Sequence, residues 1–276
     1  MTQKAPRRSP LRFRGGKTWL APLLRNWLLK IKPAIFVEPF AGGASSGLTA
    51  AFEGLSEQVV LGDGDPGIAA LWGIITSGDA EWLAKRVTGF QFSAASVRGI
   101  SISSPEDKRE KAFRALVLNR VGSQGLAVRH GMGKKGGDSL SARWYPGVLA
   151  RRIREIAHAG KITFEDGDGI DLINKYALDN KSAIFVDPPY GTKPWRGRPE
   201  VNHQKIFEAA SRCTGDVLLT YPDKPEIREL ATRGRLEVKL ITRWGGKRRV
   251  LMIGKNLGWM ESTESVDEQE KNLPFE

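Results

Sequence analysis

Ser182-Ala183-Ile184-Phe185-Val186-Asp187-Pro188-Pro189-Tyr190 reads as a buried strand that stops abruptly at an acid. Small, β-branched and aromatic residues fill the run, the pattern of a strand covered on both faces. The two prolines cannot donate to a sheet ladder, so they lie past the strand end. In an open parallel sheet, ligands bind outside the carboxyl ends of the strands. The stretch therefore presents a carboxylate, a proline carbonyl and an aromatic face together, a set that suits a planar, amine-bearing heterocycle such as a nucleobase. Taken alone, the last four residues also fit a plain proline-rich turn with Tyr190 as a packing residue.

Working outward, strands and helices alternate on both sides of this run. Upstream, a helix is expected over Lys17 to Ile31, a strand over Ala34 to Val37, a helix over Ala44 to Phe52 and a strand from Gln58 ending at Asp63. Pro66 opens another helix, a good first-turn position. Residues 77–160 then break the alternation and look mainly helical, with helices expected around Ala80 to Val87, Pro105 to Leu118 and Val148 to His158. After Lys161 the alternation resumes, and the strands Leu236 to Thr242 and Arg249 to Ile253 meet at Gly245-Gly246 as a hairpin. The fold class expected is α/β, a doubly wound sheet carrying an inserted, mainly helical subdomain.

Charge narrows the partner. The chain of 276 residues has a formal net charge of +12. Nine Lys or Arg residues precede the first acid, Glu38, and Lys108 to Arg154 holds twelve basic residues against two acids. The last sixteen residues reverse the sign, with six acids and one lysine. A body this basic favours a polyanion, and nucleic acid is the commonest. One cysteine, Cys213, excludes an internal disulfide, and His130, His158 and His203 lack metal-ligand spacing. No metal, no membrane span and no leader are expected, and the protein reads as cytoplasmic.

The ends of the other strands carry acids too. Phe36-Val37-Glu38-Pro39-Phe40-Ala41-Gly42-Gly43 closes the first strand with an acid, a proline and two glycines. The glycines let backbone amides approach a ligand, yet the spacing is not the G-x-G-x-x-G fingerprint. An acid at this turn repels a pyrophosphate and suits a cation; S-adenosylmethionine carries an ammonium and a sulfonium. Asp63 ends the second strand, where a carboxylate can bind ribose hydroxyls, and Asp168 follows the third, within reach of an adenine amine.

These residues resemble, in order, the DNA adenine methyltransferase (Dam-like) family, phage-type members included. The likeness runs over about residues 11–257. It takes in Phe13-Arg14-Gly15-Gly16-Lys17, the turn Glu38-Pro39-Phe40, Asp63, Leu118-Asn119-Arg120, Arg143-Trp144 and the tetrapeptide Asp187 to Tyr190. The resemblance implies a Rossmann-like methyltransferase sheet with a target-recognition insert, S-adenosylmethionine as cofactor and double-stranded DNA as partner, acting as a monomer. It implies that Asp187, Pro188 and Tyr190 are catalytic. It assigns Phe13, Lys17, Asp63 and Asp187 to the cofactor, and with Gly16, Glu38, Pro39, Phe40, Gly42 and Asp168 these make up the expected cofactor-binding set. The domain bounds that follow are a basic arm at 1–10, the methyltransferase domain at 11–76 and 161–257, the insert at 77–160 and an acidic tail at 258–276.

Arg114, Asn119, Arg120, Arg129, Lys134, Lys135 and Arg143 of the insert are expected to contact phosphates and bases, and Lys193, Arg196 and Arg198 to grip the backbone beside the flipped base. Trp144 and Trp195 are expected as core or interdomain residues rather than base-stacking ones. Two departures from the family stand out. Thr220-Tyr221-Pro222 replaces the usual Ser or Asn, and Gln124 to Arg129 replaces an Asn-Gly-x-x-Arg stretch. Methylation of RNA adenine, or DNA binding by a catalytically inactive relative, are the rival readings.

Overall fold

Four parallel pairings and two antiparallel ones build the sheet around which the chain is wound. The computed structural model describes residues 7–12, 17–122, 143–190, 201–243 and 248–260. The strands are β1 (Ile35–Glu38), β2 (Gln58–Asp63), β3 (Ile162–Asp166), β4 (Ser182–Val186), β5 (Asp216–Pro222), β6 (Glu237–Arg243) and β7 (Arg248–Gly254). They form one seven-stranded sheet in the order β3-β2-β1-β4-β5-β7-β6. Strands β1 to β5 are parallel, whereas β7 runs antiparallel to both β5 and β6. The order reverses between β1 and β4, so the ligand crevice of a doubly wound sheet lies there. Glu38 and Asp187 stand at the carboxyl ends of those two strands.

Alternation along each strand explains why both faces are covered. Phe36, Phe185, Leu218 and Met252 belong to one buried cluster, and their neighbours Val37, Val186, Leu219 and Ile253 to the other. Each such side chain, taken from water, stabilises the fold by roughly 1.5–3 kcal/mol. The first face is covered by α1 (Ala21–Ile31), α2 (Ser45–Phe52), α3 (Pro66–Thr76), α4 (Ala80–Thr88), α5 (Ala94–Ile102), α6 (Lys108–Val121) and α7 (Pro146–His158). The second is covered by α8 (Gly169–Tyr176), α9 (His203–Arg212) and α10 (Pro225–Arg233).

The helical stretch expected at 77–160 is present where the chain is described, and it packs on the sheet's own core. Leu83, Phe113, Leu116, Trp144, Leu149 and Ile153 share one cluster with Phe36, Leu61 and Trp72. Trp144 stacks on Phe92 at 4.8 Å, the core role expected of it. Helix α6 starts at Lys108 rather than Pro105, because the Asp107 side chain accepts the Glu110 amide and caps the helix. Helix α5 was not expected; Ser93 caps it, and only Val97 is buried along its length. Packing continues beyond β7 through a short 3-10 helix at Leu257–Trp259 to the buried Met260. At the other end, residues 7–12, which take in the end of the arm expected at 1–10, lie against the body, with Pro10 and Leu11 buried.

Candidate active site

The turn after β1 shows what the crevice can accept. Glu38 is 3% exposed, and its Oε2 accepts the Gly47 amide of the first turn of α2 at 2.7 Å. A helix N-terminus is a ready anion site. Here the protein's own carboxylate occupies it, so a pyrophosphate is excluded there and an acid is stabilised at the crevice. Gly47 is required for this approach: a Cβ would sit 2.6 Å from Leu61 and 3.0 Å from Glu38 Oε2.

Asp63, at the end of β2, ties this turn to its neighbour. Its Oδ2 accepts the Gly42 amide and its Oδ1 the Asp65 amide, both at 2.8 Å. Gly42 adopts φ +48°, a left-handed backbone that favours glycine. Trp72 Nε1 donates to the Gly42 carbonyl at 2.9 Å. Asp168 caps α8, accepting the Ile170 amide at 2.6 Å. Beside it, Gly169 lies flush against the β1 turn, where a Cβ would meet the Phe40 ring at 2.6 Å and the Pro39 carbonyl at 2.8 Å. Glu38, Pro39, Phe40, Gly42, Asp63 and Asp168 are therefore brought into three interlocked loops at one sheet edge. Lys17 begins the short 3-10 helix Lys17–Leu20 that precedes α1. Its side chain, Phe13 and Gly16 lie outside the described positions.

Across the switch point, Asp187 follows β4 and is half-buried, with Pro188 buried behind it. Its Oδ1 accepts the Thr220 hydroxyl at 2.8 Å and the Tyr190 hydroxyl. Tyr190 also lies 2.8 Å from the Thr220 carbonyl. Two donors on one oxygen fix the rotation of the carboxylate. Burial, with the Asp187 charge beside it, holds the Tyr190 hydroxyl proton well above its ordinary pKa, so Tyr190 stays a donor. Behind Tyr190 the Tyr221 ring sits at 5.3 Å, and the Tyr221 hydroxyl meets His203 Nδ1 at 3.1 Å. Sequence reasoning missed Thr220 as a partner of Asp187, and nothing local to either residue signals the pair.

The expected nucleic-acid residues are placed less uniformly. Arg114 donates to the Ile100 and Ser101 carbonyls at 3.1 and 3.0 Å, tying down the end of α5. Asn119 is buried and both its amide atoms engage the Arg12 main chain. Arg120 is buried and donates to the Arg143 carbonyl at 2.8 Å; Arg143 in turn reaches the Val121 carbonyl at 3.4 Å. Arg114, Asn119 and Arg120 lie on α6, and Arg143 reaches its last residue, Val121. Arg129, Lys134, Lys135, Lys193, Trp195, Arg196 and Arg198 lie outside the described residues. Among the described residues no group of three or more His, Cys, Asp or Glu is placed to hold a metal, and no helix is long and apolar enough to cross a membrane.

No family model and no curated protein matches the chain. Solved structures similar to it are methyltransferases. A methyltransferase from Geobacter sulfurreducens is 12% identical, with a TM-score of 0.41 over 89% of this chain and 80% of that one. The rRNA methyltransferase aviRa from Streptomyces viridochromogenes is 15% identical, with a TM-score of 0.37 over 85% and 82%. The precorrin-6y C5,15-methyltransferase from Geobacter metallireducens is 10% identical, with a TM-score of 0.42 over 88% and 92%. Each resembles the chain in part, and the reading of the crevice rests on the residues described above.

Proposed function

We propose that the protein transfers a methyl group from S-adenosylmethionine to the exocyclic N6 amine of an adenine flipped out of duplex DNA. The observation that carries this reading is the pair of carboxylates at the switch point. Glu38, on the α2 N-terminus, suits a cationic cofactor, and Asp187, held by Thr220 and Tyr190, faces the same sheet edge. The donor set fits the cofactor: acids at the ends of β1 and β2 and after β3 match an ammonium, two ribose hydroxyls and an adenine amine. Glu38 and the Gly42 turn would hold the methionine end, Asp63 the ribose and Asp168 the adenine. When bound, the cofactor supplies an electrophilic methyl on a positively charged sulfur.

The chain's own residues then act on the nucleophile. The adenine amine reacts poorly because its lone pair is delocalised into the ring. Asp187 and the Pro188 carbonyl accept its two hydrogens and draw the nitrogen towards a tetrahedral shape, which localises the lone pair for in-line displacement. With the cofactor bound, the nitrogen would take the methyl group as the sulfonium departs as a neutral thioether, and the excess proton would pass to solvent. Tyr190 offers its ring face for stacking on the flipped base. Adenine bound by water-exposed groups alone would gain none of this alignment.

The decisive experiment incubates the protein with unmethylated DNA and methyl-labelled cofactor, then digests the DNA to nucleosides. Label in N6-methyl-2′-deoxyadenosine that disappears in Asp187→Ala supports the reading. Label in cytosine, in RNA only, or undiminished in Asp187→Ala overturns it.

A further inference from the structure

Three elements hold the segment at residues 7–12 to the body. Asn119, 1% exposed near the end of α6, accepts the Arg12 amide at 2.8 Å and donates to the Arg12 carbonyl at 3.1 Å. The pairing imitates a strand bridge, with a side-chain amide in place of a second backbone. Arg152 of α7 donates to the Ser9 carbonyl at 3.0 Å. Arg8 pairs with Glu53 at 3.0 Å and lies 5.2 Å over the Phe52 ring. Leu11 is buried in the main core between these contacts.

The clamp has an electrostatic consequence. The Arg12 main chain is bonded to Asn119, the neighbour of Arg120 on α6, and Arg152 of α7 is bonded to Ser9 three residues before Arg12, so the segment gathers the three arginines at one place, where Arg12 and Arg152 both act on the Arg120 charge. Arg120 is 5% exposed, and among the described residues its one hydrogen bond is to the Arg143 carbonyl. No carboxylate pairs with it there. Burial, then Arg12, then Arg152 push its pKa down to about 10, so it still carries its charge at neutral pH. A buried cation without an acid is costly, and like charges beside it add to that cost. Arg152 is likewise pushed down by burial and by Arg151 and Arg7, with Glu155 the opposing charge. Glu155 itself lies 3.8 Å from Arg151. The side chain of Arg12 is exposed and that of Arg152 half-buried, so the cluster opens to solvent through them. Tyr145, 53% exposed, stands beside it.

We propose that Arg12, Arg120 and Arg152 form a binding site for one phosphodiester of the DNA backbone, with Asn119 as the positioning residue that sets Arg12 beside the other two. The proposal rests on the reading of duplex DNA as substrate. Arg12 and Arg152 supply charge-assisted hydrogen bonds, and Arg120 supplies field from below, where low dielectric strengthens it. An incoming anion offsets the repulsion among the three, which is why the arrangement persists without an acid of its own.

Affinity for a short labelled DNA duplex, measured by fluorescence anisotropy over a series of salt concentrations, tests it. Each neutralised phosphate contributes about 0.9 to the slope of log affinity against log salt. Arg12→Gln and Arg152→Gln are each expected to weaken binding and to lower that slope by about one. Arg12→Gln, whose main-chain bonds to Asn119 remain, is expected to unfold at the temperature of the unsubstituted chain, and this separates lost contact from lost fold; Arg152→Gln also loses its bond to Ser9 and is expected to unfold slightly lower. Unchanged slopes in both variants, with DNA still bound, overturn this site and leave Asp187 as catalytic group untouched. Lowered slopes in a protein that transfers no methyl group support the site and remove the catalytic reading. Binding of an RNA duplex and not of DNA overturns the assignment of the ligand.

Discussion

The Thr220 hydroxyl donates to Asp187 Oδ1 across 2.8 Å and joins two strands at the sheet edge. Thr220 is fully buried at the end of β5, and Asp187 is the first residue after β4, 33 positions earlier. The bond leaves the carboxylate one rotation, and a general acceptor works only if it is held in that rotation before the base arrives. Thr220→Val keeps the volume and removes the donor. A lost hydrogen bond to a charged acceptor amounts to about 1.5–3 kcal/mol, or roughly 10- to 100-fold in rate if it is made in the transition state. Single-turnover methylation is expected to slow by that range while the KM for DNA holds, and Thr220→Ser is expected to restore most of it. Equal loss in the Ser and Val variants would assign Thr220 to packing alone.

Tyr190 has two separable jobs in the same geometry. Its hydroxyl shares Asp187 Oδ1 with Thr220, while its ring lies 5.3 Å from Tyr221 at the lip of the crevice. Tyr190→Phe keeps the ring and the Thr220 bond but removes one donor from Asp187 Oδ1, as Thr220→Val does, so a loss of the same order, roughly 10- to 100-fold, is expected. Tyr190→Ala removes the stacking face as well, and base–aromatic stacking contributes about 1–3 kcal/mol. Its loss should be the larger, and should show as weaker fluorescence of a 2-aminopurine placed at the target position. Equal rates in the two variants would exclude stacking as the role of the ring.

Gly169 leaves no room for a side chain between α8 and the turn after β1. Its missing Cβ lets α8 start against the Phe40 ring and the Pro39 carbonyl, and the carbonyl is backbone that cannot swing aside. Overpacking of this kind costs about 1–3 kcal/mol. Gly169→Ala is expected to lower thermal stability and to weaken S-adenosylmethionine binding in calorimetry, because the β1 turn must shift. Gly99→Ala is the comparison: a Cβ there meets nothing within 4 Å. Cofactor affinity unchanged in Gly169→Ala would separate this contact from the site.

What could be read from the chain and what could not divides along a physical line. The run at 182–186 was legible because both faces of β4 are covered, so every position is apolar or small. Glu38 was legible as an acid at a turn, where a charge needs a reason. Helix α5 was not, since one buried Val97 and a mid-helix Gly99 leave no apolar stripe to detect. The partners of Asn119 and Asp187 were hidden for a different cause. They are 107 and 33 residues away, and periodicity reports which face is buried, not which distant group completes a hydrogen bond. Asn119 and Arg120 were expected to contact phosphates and bases because Leu118-Asn119-Arg120 resembles part of a target-recognition insert. Their burial, set by the arm that folds over them, places them beneath the surface instead.

Acid should loosen that arm through Glu53. The carboxylate accepts Arg25 Nε at 2.5 Å and Nη2 at 2.8 Å, and Arg8 of the arm at 3.0 Å. The Arg25 hydrogen bond, with Arg8 behind it, holds the pKa of Glu53 below its ordinary value of 4.5. A depressed acid contributes stability that is fully present above its unfolded value and is lost as pH falls through the folded one. Both partners are partly solvated, so the contribution is about 1–2 kcal/mol rather than that of a buried pair. Glu53→Gln is therefore expected to lower the denaturation midpoint at neutral pH, and the deficit should close well below the unfolded value, where the native acid is protonated too. The same substitution releases Arg8, so duplex affinity at neutral pH is expected to fall modestly with it. A deficit of equal size at neutral and acid pH would mean that Glu53 acts through shape and not through charge.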